Sequence, residues 1–221
     1  MNLIEIKEVR KQYGNKEILK SVDLNIQSSE ICLITGSSGA GKTTLLNILS
    51  FLESADSGTY LWEGVNVDNI LTKEKRNIRR EKMSFIFQDF NVFEELTVKE
   101  NLEVFLRYVT SIEKNKWDNL IIEGVNRFNM QDRINTRAKL LSGGERQRLA
   151  ILRSFIKETK VVFADEPTAN IDEKNKNLIV ESFKMLKQEG RAIVIVSHDH
   201  SYNEFADKIY KLNEGKIIRE S

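Results

Sequence analysis

Residues Gly36 to Thr44 read GSSGAGKTT, directly after the apolar run ICLIT (Ile31 to Thr35) and directly before LLNILSFL. No other stretch constrains the chain as tightly. Gly36, Gly41, Lys42 and Thr43 satisfy G-x-x-x-x-G-K-[ST] at every fixed position. Such a loop needs a buried strand before it and a helix after it, because successive backbone N–H groups and the helix N-terminus must converge on phosphate oxygens. The flanking runs supply both. Gly36, Gly39 and Gly41 let the backbone approach phosphate without a Cβ in the way. Lys42 reaches the β and γ groups, and Thr43 offers its hydroxyl to Mg²⁺. Ser37, Ser38, Ala40 and Thr44 complete the cradle.

The rest of the chain supplies a matching fold. ICLIT, VVFAD (Val161 to Asp165) and AIVIVS (Ala192 to Ser197) are continuous and apolar, as strands covered on both faces must be. Alternation in LIEIKEV (Leu3 to Val9) and the run Ile18 to Ile26 predict antiparallel strands with one solvated face. Helical stretches are read at Lys42–Leu52, Val98–Tyr108, Trp117–Phe128, Glu145–Ile156 and Lys174–Gln188, and KIYKLNEGKIIRE closes the chain as a hairpin. The expected fold class is α/β: a P-loop core with a mixed sheet, an N-terminal antiparallel β region and an inserted helical subdomain. One domain is expected over 1–221, with 1–87 and 154–221 forming the nucleotide-binding core and about 88–153 the helical insertion. The core needs a carboxylate at the end of a neighbouring buried strand to hold magnesium, and Asp165 stands there. Glu166 is next to it, and two adjacent acids at a strand end repel unless a cation relieves them.

Composition excludes several alternatives. Lys and Arg number 34 against 33 Asp and Glu, so no global basic field recruits nucleic acid, and none is expected as partner. The single cysteine, Cys32, lies within ICLIT and reads as a buried thiol. Trp62 and Trp117 read as packing residues. The N-terminus has no secretory pattern, and no apolar run is long enough to span a bilayer. Work at a membrane would require another chain to supply the spans, leaving this one cytoplasmic and peripheral to the inner face.

Several ordered motifs resemble those of the ATP-binding cassette (ABC) ATPases. LLSGGERQRLAILRS (Leu140 to Ser154) contains the LSGGE signature between the P-loop and the Asp165 strand. FIFQD with Gln88 is similar to the Q-loop, ADEPTANID to the metal strand, catalytic glutamate and D-loop ending at Asp172, and VIVSHD places His198 as the switch histidine. Tyr13, in KQYG, sits where the family stacks adenine. His200 competes with His198 for the switch position. The resemblance implies ATP and Mg²⁺ as cofactors, with Thr43, Asp165 and Gln88 around the metal. It also implies that Glu166 polarises the attacking water and His198 contacts the γ-phosphate, while Lys42 and Gln88 complete the catalytic set. Ser142, Gly143 and Gly144 of one copy would close over the nucleotide held by another, in an ATP-dependent head-to-tail homodimer with Asp172 at the seam.

The family couples closure to a separate transmembrane permease docked near the Q-loop, where Val92, Phe93 and Leu96 are apolar candidates for contact; packing of the subdomain onto the core is the other reading. In motif style the chain is similar to the lipoprotein-release, macrolide-export and cell-division-associated subgroup, with Ala169 and Ile171 departing from its usual residues. Peptides, antimicrobials and lipoproteins are then candidate substrates, and the alternative is a mechanotransmitting ATPase that regulates a membrane partner without transport.

Overall fold

The alternating N-terminus forms two long strands, β1 (Asn2–Tyr13) and β2 (Lys16–Gln27), paired antiparallel. The computed structural model describes residues 2–87, 89–169 and 171–220. The apolar run before the glycine loop is β3 (Ile31–Thr35), and the helix after it is α1 (Lys42–Leu49). Strands β4 (Ser57–Trp62) and β5 (Val65–Asn66) extend the first sheet in the order β2-β1-β4-β5. Helix α2 (Thr72–Lys82) then leads to β6 (Met83–Ile86). Three helices follow: α3 (Val98–Val109), α4 (Trp117–Arg127) and α5 (Gly143–Ile156). Strand β7 (Val161–Asp165), helix α6 (Glu173–Gln188), strand β8 (Ala192–Val196) and the hairpin β9 (Lys208–Asn213) and β10 (Lys216–Arg219) end the described chain.

The second sheet has the order β10-β9-β3-β8-β7-β6, parallel throughout except for the final hairpin, so it is mixed, as expected. Its side-chain alternation explains why the central strands are apolar at every position. Cys32, Ile34, Val161, Phe163, Val194 and Val196 join one buried cluster with the first sheet and α1. Ile31, Leu33, Val162, Ala164, Ile193 and Ile195 point the other way into a second cluster. Leu102 and Leu106 of α3 and Ile121 and Val125 of α4 belong to that second cluster too. Of the helices of the 88–153 region, α5 packs on β6, and α3 and α4 pack on α5. The boundary drawn at 153 falls inside α5. Cys32, Trp62 and Trp117 are buried.

Two departures from the sequence reading have local causes. Helix α1 stops at Leu49 instead of Leu52: Phe51 adopts φ 60°, and the Tyr60 hydroxyl takes the Leu49 carbonyl at 2.5 Å. Helix α2 was not expected because it buries no residue and so shows no apolar stripe.

A buried amide fixes the segment entering α3. Asn101, with no solvent exposure, accepts from the Phe93 N–H at 2.8 Å and donates to the carbonyls of Phe93, Leu96 and Thr97. Its side-chain oxygen also accepts from Arg153 at 2.7 Å. Asn101→Ala would strand these groups at once, and a loss of about 3 kcal/mol is expected in urea unfolding.

Candidate functional site

The order of the parallel strands assembles the site. Strand β8 lies between β3 and β7, so the loops after all three meet at one edge of the sheet, where ligands of open α/β sheets bind. The Ser197 N–H donates to Ile34 O (3.2 Å) and the Glu166 N–H to Val196 O (2.8 Å), tying the three loop starts to one another.

The glycine loop has the form its sequence predicts. Gly36 adopts φ 150°, and a Cβ there would stand 2.2 Å from the Leu212 carbonyl oxygen, so any side chain would drive the loop off β9. Helix α1 begins at Gly41 (φ 104°) with no side-chain cap and no acidic residue in its first turn. Helices α3, α5 and α6 are capped by Thr97, Ser142 and Asp172. The bare start of α1 leaves N–H groups and the positive end of the helix dipole for an anion. Lys42 is folded onto the loop, donating to Gly36 O (2.8 Å) and Ser37 O (3.0 Å). Ser37, Ser38 and Gly39 are exposed, while Ala40 is buried beneath them.

Thr43 and Asp165 come together as predicted, with Thr43 Oγ1 donating to Asp165 Oδ2 at 3.3 Å. Burial pushes the Asp165 carboxyl above its usual range and the Glu166 charge adds to this, while the Thr43 hydrogen bond and Lys42 act against it. A divalent cation would relieve that cost. Among the described residues no cluster of three or more His, Cys, Asp or Glu could hold a metal by itself. The donor set fits Mg²⁺ held by one carboxylate and one hydroxyl, its remaining positions filled by phosphate and water.

Glu166 and His198 also meet. His198 Nδ1 lies 2.9 Å from Glu166 Oε1, and Ser197 Oγ donates to Glu166 Oε2 at 2.9 Å. An ionised carboxylate only accepts, so Nδ1 carries the hydrogen. Glu166 adopts φ 45°, an unusual conformation for a residue with a Cβ. Glu166 and His198 face a cavity of about 470 Å³ lined also by Thr168, Ala169, Ile171, Lys176 and Asp199. For Asp199, burial raises the carboxyl pKa, but the Lys176 ion pair at 2.8 Å and the Ser201 N–H hold it down to about 2.

Tyr13 is 47% exposed, and its hydroxyl donates to Glu53 at 2.6 Å. Lys11 lies 5.5 Å from its ring centre and pairs with Glu53. At the start of α5, exposed Ser142 accepts from the Glu145 N–H, and the Glu145 carboxylate returns the bond to the Ser142 N–H. Gly143 and Gly144 follow. Asp172 caps α6 and holds Asn175, which in turn accepts from Arg148 at 2.6 Å. Gln88 lies outside the described residues, as does the His200 side chain. Of the docking candidates, Val92 packs inward against the helices, Leu96 is half-buried and Phe93 is 54% exposed. An open groove of about 490 Å³ lies beside Leu52, Phe85, Phe87, Phe90 and Phe105. Ser197, Asn175 and the Lys176–Asp199 pair were not singled out in the sequence. Only Ser197 left a signal, at the end of a buried strand beside His198.

Residues 19–169 match the family described as ABC transporter. The chain belongs to that family. It is 36% identical over 222 residues to the ABC transporter ATP-binding protein MJ1508 of Methanocaldococcus jannaschii, covering 98% of each. YknY of Bacillus subtilis, another ABC transporter ATP-binding protein, is 33% identical, with 98% of this chain and 95% of YknY covered. MacB of Campylobacter jejuni, a macrolide export ATP-binding/permease protein, is 33% identical over 99% of this chain, which spans only 34% of MacB. Among solved structures, the dimeric post-hydrolysis state of the cassette MJ0796 with ADP and Pi superposes with a TM-score of 0.85 at 30% identity, covering 99% of this chain and 98% of that one. The ABC cassette is thus an ATP-hydrolysing nucleotide-binding unit, with the P-loop α/β fold that its sequence predicts.

The signature helix start gives a sharp contrast. A Cβ on Gly144 would stand 2.3 Å from Asn175 Cγ, whereas one on Gly143 would make an ordinary contact 3.6 Å from Ile171 Cδ1. Gly144→Ala is expected to lower stability by about 1–3 kcal/mol and Gly143→Ala by well under 1 kcal/mol in denaturant titrations.

Proposed function

We propose that this chain is the ATPase subunit of a membrane transport complex, driving a separate permease through ATP-dependent head-to-tail dimerisation. The observation that supports this best is the grip of Ser197 and His198 on Glu166, beside the Thr43–Asp165 pair and the uncapped start of α1. A water-activating carboxylate, a metal-holding pair and a phosphate cradle at one sheet edge are the parts phosphoryl transfer to water requires.

In this reading the loop from Gly36 to Thr44 cradles the phosphates and Lys42 leaves the Gly36 and Ser37 carbonyls for the β and γ oxygens. Tyr13 stacks on adenine. Thr43 and Asp165, with Gln88, would hold Mg²⁺, which when bound neutralises charge on the phosphates. Glu166 orients and polarises the attacking water. His198 contacts the γ-phosphate, and its Nδ1 bond to Glu166 leaves Nε2 as the nitrogen available for that contact. Ser142, Gly143 and Gly144 present a second helix start, which closes over the nucleotide of the other copy. Asp172, exposed at the head of α6, lies at the seam. Support for the dimer comes from the likeness to dimeric MJ0796 structures.

The permease partner is inferred from relatives such as MacB, whose name joins ATP-binding and permease functions. Among the described residues, no helix is long and apolar enough to cross a membrane. The subunit then works on the cytoplasmic face of the membrane, and the cargo class we propose is a peptide, an antimicrobial or a lipoprotein.

Glu166→Gln is expected to bind ATP with near-parental affinity and to hydrolyse it at least about a hundredfold more slowly, while Lys42→Ala loses affinity. Near-parental turnover in Glu166→Gln would overturn the assignment. Light scattering on Glu166→Gln at micromolar concentration should show the mass double when ATP is added; an unchanged mass would remove the shared site.

A further inference from the structure

An ion pair between Lys176 and Asp199 ties α6 to the turn that carries His198. Lys176 stands in the first turn of α6, and its Nζ donates to Asp199 Oδ2 at 2.8 Å. The two side chains are only 25% and 23% exposed, and both residues line the cavity that Glu166 and His198 face.

Asp199 is held at both of its carboxylate oxygens. Oδ1 accepts from the Ser201 N–H at 3.0 Å while Oδ2 takes the Lys176 ammonium. With its side chain fixed in this way, the Asp199 N–H donates to Ser197 Oγ at 3.1 Å. A hydroxyl carries a single hydrogen. Ser197 is buried, and the hydrogen left to its Oγ goes to Glu166 Oε2, 2.9 Å away. The bonds therefore run in series from α6 to the carboxylate of Glu166, through Asp199 and Ser197.

The arrangement bears on the position of Glu166 more than on the stability of the fold. Glu166 sits at φ 45°, a conformation that persists only under restraint from its surroundings. Of the two side chains that restrain its carboxylate, His198 is 77% exposed, which leaves Ser197 as the buried anchor. The turns after β7 and β8 are also joined independently of Lys176, because the buried Tyr202 hydroxyl donates to Thr168 Oγ1 at 2.9 Å. An ion pair open to solvent adds little to stability. Without the ammonium, Asp199 keeps the Ser201 bond alone, and its peptide can turn away from Ser197.

We infer that Lys176 is a positioning residue for ATP hydrolysis, setting the carboxylate of Glu166 through Asp199 and Ser197. The inference rests on the reading of Glu166 as the group that polarises water, and adds the restraint that aims it. Misplacing a reacting group by about 1 Å costs on the order of a hundredfold in rate, and loosening one link of this series should cost about tenfold.

The test compares Lys176→Met, Lys176→Arg, Glu166→Gln and the double variant Lys176→Met/Glu166→Gln with the parent chain. Turnover is read at saturating ATP, and affinity from a fluorescent ATP analogue. Lys176→Met should lower kcat about tenfold with affinity and KM unchanged, since the glycine loop and Lys42 lie on other elements. Lys176→Arg, which keeps the pair with Asp199, should restore most of the rate. In the Glu166→Gln background Lys176→Met should change turnover by less than about twofold, because the group it positions is gone. Parental kcat in Lys176→Met, whatever its melting temperature, overturns the inference, as does a Lys176→Arg protein as slow as Lys176→Met. A full tenfold loss on top of a slow Glu166→Gln overturns the relay alone and leaves Glu166 in its role. Near-parental turnover of Glu166→Gln itself removes that role, and the inference falls with it.

Discussion

Parallel pairing of three short strands is the constraint on which the rest of this molecule depends. Val196 is opposite Ile34 on one side and Asp165 on the other. That register carries the glycine loop, the acidic pair and the Ser197–His198 turn to one edge at the same height. A slip of one residue would turn every side chain of a strand to the opposite face. The two buried clusters resist it, because each strand residue has a matched apolar neighbour on its own side of the sheet.

Around that frame, the helix starts divide by chemistry. Thr97, Ser142 and Asp172 each satisfy the first turn of their own helix; α1, α2 and α4 start without a side-chain cap, and of these only α1 also lacks an acidic residue in its first turn. The acids of the site are held at comparable expense. Asp165 is partly desolvated beside another carboxylate, and Glu166 is kept in a left-handed backbone conformation by the bonds at its carboxylate and its N–H. Such local costs persist only where the surrounding structure over-determines them.

Much of this was legible in the chain itself. The central strands could be read because burial on both faces makes them apolar throughout, and the glycine loop because its backbone geometry admits few other residues. The contacts of Glu166 with Ser197 and His198 join residues about thirty positions apart, and only the β7–β8 pairing brings them together. Helix α2 was illegible for the opposite reason. None of its residues is fully buried and Ile78 alone is an apolar contact with the core, so its sequence reads as a run of charges, and the groove it walls was invisible with it. Of the docking candidates, Val92 packs inward, as the alternative reading of that stretch has it, while Phe93 is exposed.

The close approach of Gly36 to Leu212 has a consequence for how the protein is made. The floor of the phosphate loop is strand β9, and the start of β3 is bonded to Asp207, 176 residues further along the chain. A ribosome that has released everything up to α5 has exposed the entire nucleotide motif without the strand that shapes it. Contacts of such sequence separation form late, after their loop-closure entropy has been met. Until β9 has left the ribosome, the growing polypeptide therefore lacks the floor of its phosphate loop, although every residue of the glycine motif is already out.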